Sequence, residues 1–176
     1  MNKQLKKISL ILLCVLCFAF SAAAQKKKPT TIKKSTTTTA TTPVGNTEIK
    51  DGAAKVSIQI KNVSKFVYNL GIIGRSIEDL DVDIKAGKAS QKGIDINAKN
   101  KQAVLTGLRN IRAGLAALEV EFRTKPALKN YLTQIQGITD LCGESEDLAT
   151  NGRFIDSGRP LLTLIEKLTD VLEAMP

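Results

Sequence analysis

From Thr47 to Met175 the apolar residues return every three or four positions, the spacing that lines one side of an α-helix. The first stripe runs through Val56, Ile60, Val63, Val67, Leu70, Ile77 and Ile84, and Phe66, Ile73 and Leu80 broaden it. Three apolar positions in seven is the width of a helix packed in a globular bundle, wider than a two-stranded coiled-coil seam. Val56-Ser57-Ile58-Gln59-Ile60 alternates as a strand would, and Gly71, Gly74 and Asp81 break the stripe. The three-four pattern nevertheless persists over about 28 residues, far beyond the length of an ordinary strand, so a helix is predicted.

A polar stretch from Gly87 to Gly93 separates this element from a second stripe, Val104, Leu108, Ile111, Leu115, Leu118 and Phe122, with Asp95, Asn97 and Asn100 as candidate caps. A third helix is expected from a Thr124 cap, with Pro126 in its first turn, where a missing amide hydrogen costs nothing. Its apolar face is Leu128, Tyr131, Leu132, Ile135, Ile138, Leu141, Cys142 and Leu148, and Asn151-Gly152 stops it. The fourth starts near Ser157, carries Pro160 in its first turn, and presents Leu161, Leu164, Ile165, Leu168, Val171, Leu172 and Met175. Short connections favour antiparallel neighbours, so the expected fold is all-α, a four-helix up-down bundle. Gly107 and Gly114 lie seven apart on the second helix and each costs about 1 kcal/mol there relative to alanine, which predicts a close helix crossing at both.

Upstream the pattern changes character. Lys3, Lys6 and Lys7 precede an apolar run from Ile8 to Phe20, followed by Ser21-Ala22-Ala23-Ala24. This is the form of a bacterial-type signal peptide, and the run is shorter than the roughly 20 residues that span a bilayer. Cleavage after Ala24 divides the chain into a signal peptide (1–24), a threonine-rich linker (25–46) and the helical domain (47–176), and no transmembrane helix is expected in the mature chain. The linker has almost nothing apolar to bury and is expected to be disordered. Cys14 and Cys17 leave with the signal, so Cys142 has no intramolecular disulfide partner.

The formal charge is +9, but its distribution argues against nucleic acid as a partner. Lys26, Lys27, Lys28, Lys33 and Lys34 sit in the linker, and residues 46–176 hold 18 bases against 17 acids. The five linker lysines read first as part of a solubilising spacer that keeps the domain clear of the membrane during export, and second as a site of weak, salt-sensitive contact with an anionic membrane or acidic glycan.

The chain has no histidine, which excludes Ser-His-Asp and Cys-His nucleophile pairs, a haem proximal histidine and the Glu-x-x-His ligands of di-iron bundles. It also lacks a glycine-rich phosphate loop. No cofactor and no catalytic residue is expected. Asp79, Asp81 and Asp83 resemble the opening of a calcium loop, but Ile84 stands where the turn needs glycine and Ser90 where a closing glutamate belongs. They are weak metal candidates. Glu144, Glu146 and Asp147 form a second acidic group, Cys142 reads as a core thiol, and the Asn62-Val63-Ser64 sequon falls inside a predicted helix. The expected function is that of a non-enzymatic binding or structural module, periplasmic or extracellular, with an unknown protein or envelope component as partner. The alternative is a carrier or chaperone that takes an apolar ligand or unfolded segment between helices. A carboxylate-based enzyme comes third.

Overall fold

The computed structural model describes residues 44–176. The expected signal peptide (1–24), the five linker lysines and the rest of the expected linker up to residue 43 lie outside the described residues. What is described is all-helical: five α-helices and one 3₁₀ segment, with no strand among the described residues.

Helix α1 (Val44–Lys85) runs through Gly71 and Gly74 without interruption and takes in Val44–Asn46, residues that composition alone assigns to the linker. Its buried apolar side chains, Val56, Val63, Leu70 and Ile77, step by seven along the chain and make one continuous seam. Helix α2 (Gln91–Thr124) follows a tight turn in which Gly87 is left-handed at φ 66°. Its cap is Ser90, whose hydroxyl accepts from the Gly93 amide at 3.2 Å; Asp95, Asn97 and Asn100 lie within the helix. Asn97 and Asn100 are buried, and Asn97 donates to Asp81 of α1 at 2.6 Å. Thr124 likewise does not open a third helix. Its hydroxyl donates back to the Val120 carbonyl at 2.8 Å and belongs to the last turn of α2.

The expected third helix is three pieces: a 3₁₀ segment (Pro126–Tyr131), the single turn α3 (Leu132–Ile135) and α4 (Ile138–Thr150). The break has a local cause. Gly137 sits at φ 89°, a left-handed conformation that ends one helical run and starts another, and it is open to glycine because no Cβ is present. The apolar spacing did not register the break because Leu128, Ile135, Ile138 and Cys142 remain buried on either side of it. Helix α4 stops where expected, at Asn151, with Gly152 left-handed at φ 81°. Helix α5 (Gly158–Ala174) has Ser157 as its cap residue and Pro160 in its first turn.

Helix α1 packs against α2 and α5, and α4 packs against the same two. Lys55 meets Glu121 while Asp81 meets Lys101, so α1 and α2 run in opposite directions. Gly52 lies against Met175 and Gly158 against Leu70, so α1 and α5 do too. One cluster of buried side chains, from Val56 through Leu115, Phe122, Ile138 and Phe154 to Leu168, joins every long helix. Both α2 glycines are packing positions: a Cβ on Gly107 would stand 2.5 Å from Phe66 Cε2, and one on Gly114 would stand 2.9 Å from Gln59 Nε2. Buried serines tie α4 to the turn before α5, Ser145 donating to the Ser157 carbonyl at 2.6 Å and Ser157 to the Phe154 carbonyl at 2.7 Å. Both hydroxyls thus meet the hydrogen-bond demand that their burial creates.

Candidate functional site

The aspartate triplet is not assembled into a site. All three residues lie in α1, where alternate positions point about 200° apart and share no face. Asp79 and Asp83 are exposed, whereas Asp81 turns toward α2 and accepts from Lys101 and Asn97, both at 2.6 Å. Its carboxylate joins two helices. The second acidic group is also divided: Glu144 and Asp147 face solvent, while Glu146 accepts from Arg109 at 2.7 Å and Arg112 at 3.4 Å and so joins α4 to α2. The two acidic groups do not meet, because Asp81 is held at Lys101 and Glu146 about two turns further along α2, at Arg109. Among the described residues no cluster of three or more metal-ligating side chains is found.

Cys142 is fully buried and its thiol donates to the Leu108 carbonyl at 3.4 Å. Burial pushes its pKa up to about 11, against a smaller opposing pull from Arg112. A thiol so held is protonated at neutral pH and is a poor nucleophile. The sequon residues Asn62 and Ser64 are exposed on α1.

Sequence reasoning missed two carboxylates that act as fasteners. Glu121 is drawn down in pKa: burial opposes its ionisation, but hydrogen bonds from Lys125 and from Lys55 of α1 outweigh that burial. Glu119 accepts from the amides of Gly137 at 2.9 Å and Thr139 at 3.3 Å, and so caps the start of α4 from the neighbouring helix. Gly137 has no side chain to do so.

Also missed was the outer side of α1 and α5. Tyr68 and Ile72 of α1, Leu162 of α5 and Ile155 of the preceding turn are exposed. A shallow groove of about 250 Å³ runs between them, lined by Val67, Leu70, Gly71, Ile155, Gly158, Arg159 and Leu162. A second cleft, of about 360 Å³, lies at Ser64, Lys65, Tyr68 and Asn69. Both open to solvent on the surface. The signal available in the sequence was the alternation of Ile58, Tyr68 and Ile72 with Lys61 and Lys65 on the side of α1 opposite its main stripe.

Among the described residues no helix is long and apolar enough to cross a membrane. The chain matches no protein-family model, no curated protein and no solved structure.

Proposed function

We propose that this protein is an exported, non-enzymatic module of the cell envelope, periplasmic or extracellular, whose long helices form an up-down bundle held on an anionic surface by its lysine tether. The opposed registers of α1 with α2 and with α5 support the alternating arrangement. The filled interior, with Leu108, Leu115, Leu161 and Leu164 fully buried, supports a rigid part and gives no support to the carrier reading.

The observation that carries the surface reading is the polarity of charge. Residues 44–125 hold 14 bases and nine acids, whereas residues 126–176 hold four bases and eight acids. The basic half is the one joined to Lys26, Lys27, Lys28, Lys33 and Lys34. On α2, Lys92, Lys99 and Arg123 are exposed and belong to no ion pair among the described residues. A phospholipid head group or acidic glycan would attract the tether's lysines, and the exposed bases of α1 and α2 would add to that attraction.

Co-sedimentation with vesicles tests the proposal. Binding is expected to phosphatidylglycerol vesicles but not to phosphatidylcholine, with release as salt rises and loss on deleting residues 26–34. Equal binding to both vesicles, or no effect of the deletion, would remove the tether's role. N-terminal sequencing of the secreted chain should begin at Gln25, and an intact Met1 would remove export.

A further inference from the structure

The exposed side of α1 and α5 has an order that neither helix shows alone. Along α1 runs a basic and apolar crest, Lys61, Lys65, Tyr68 and Ile72; along α5 run Arg159, which pairs with Asp156, then Leu162, Glu166 and Asp170. Between the crests lies the apolar groove at Val67, Gly71 and Leu162. Exposures of 73% for Tyr68 and 51% for Leu162 are high for side chains of their size, and among the described residues nothing covers this face.

The register fixes where the opposite charges stand. Gly52 lies against Met175. Nine residues on from Gly52 is Lys61, and nine back from Met175 is Glu166, so the two share one height on antiparallel neighbours. Both are exposed, and among the described residues neither belongs to an ion pair. Each side of the groove therefore presents, at the same level, the charge that the other side needs.

We propose that this face is a self-association surface that docks a second copy of the chain. A two-fold axis parallel to the helices lays α1 of one copy over α5 of the other at equal height. Lys61 then faces the partner copy's Glu166, Lys65 stands level with its Leu162 and one turn from that glutamate, Tyr68 and Ile72 come level with its Arg159 and Ile155 beside the groove, and symmetry forms every contact twice. An acidic helix of another protein would satisfy only the basic crest and would leave Glu166 facing solvent or like charge. The second copy satisfies both.

Light scattering and sedimentation equilibrium of the purified chain test the proposal, over concentrations up to roughly 0.5 mM, where a micromolar dimer is fully formed. A dimer that weakens with salt is expected. Lys61→Glu and Glu166→Lys should each weaken it by about tenfold, because each turns a pair of attractions into repulsions. Mixing the two variants should restore dimers, since the carboxylate introduced by K61E on one copy then meets the ammonium introduced by E166K on the other. Leu162→Asp should abolish the dimer while leaving the helical circular dichroism unchanged. A monomer at every concentration, a dimer indifferent to the three substitutions, or variants that fail to complement on mixing would overturn the proposal.

Discussion

Gly71 and Gly107 are both interior helix residues, and the same substitution should act on them with opposite sign. Alanine gains about 1 kcal/mol over glycine in a helix interior, wherever its methyl group has room. At Gly71 nothing lies within 4 Å of the added Cβ, so Gly71→Ala should raise the melting temperature. At Gly107 the Cβ would stand 2.5 Å from the Phe66 ring, and displacing a half-buried aromatic outweighs the propensity gain. Gly107→Ala should therefore lower stability by about 1–3 kcal/mol in denaturant titrations. The close crossing at Gly107 was legible in the sequence, because two glycines seven apart on an apolar flank are costly without one. The openness at Gly71 was not, since the same letter there interrupts a stripe without any packing reason. Cys142 offers a second test. Its thiol holds its proton more tightly in the folded chain than in the unfolded one, so its contribution to stability is complete below about pH 9 and declines as pH rises toward 11. Cys142→Ala should flatten that part of the stability-pH profile relative to the parent, and iodoacetamide should label the parent at pH 8 only as fast as it unfolds.

At the scale of elements, the region from Thr124 to Thr150 shows how apolar periodicity can be right about burial and wrong about continuity. Leu128, Ile135, Ile138 and Cys142 occupy the core as the stripe requires, yet the backbone beneath them is a 3₁₀ segment, one helical turn and then α4. Side-chain spacing records which residues face inward; it does not record a left-handed glycine in the middle of the run. The break exposes the amides that open α4, and Glu119 of α2 reaches across to accept two of them. Such a cap from another helix leaves no local signature, because its residue lies 18 positions from the amide it serves. Glu119→Ala should cost about 1–2 kcal/mol, well above an exposed glutamate such as Glu173. Hydrogen exchange should quicken at the first turn of α4 before it quickens elsewhere. Exchange rising equally in α1 and α4 would make Glu119 a general packing residue instead.

For the whole molecule, a sum taken along the chain conceals what the fold separates. Residues 46–176 are nearly neutral, but folding divides their charge into a basic half, α1 and α2, and an acidic remainder. The count was available from the sequence, yet its meaning depended on which helices pack together. The core behaves in the opposite way, as one body. A single buried cluster runs through α1, α2, α4 and α5, and α1 packs against both α2 and α5. No helix can leave without exposing the seams of two others, so the losses are shared and unfolding should be cooperative. Far-ultraviolet circular dichroism, which reads helix, and tyrosine fluorescence, which reads Tyr68 and Tyr131 on different elements, should therefore give one coincident thermal transition. Since Asp81 and Glu146 are engaged by basic side chains of α2, adding a chelator should leave that transition where it is. Two separated transitions would mean that the 3₁₀ segment and Gly137 divide the molecule into independent units, and a chelator-induced fall in melting temperature would mean that a metal supplies stability now assigned to packing.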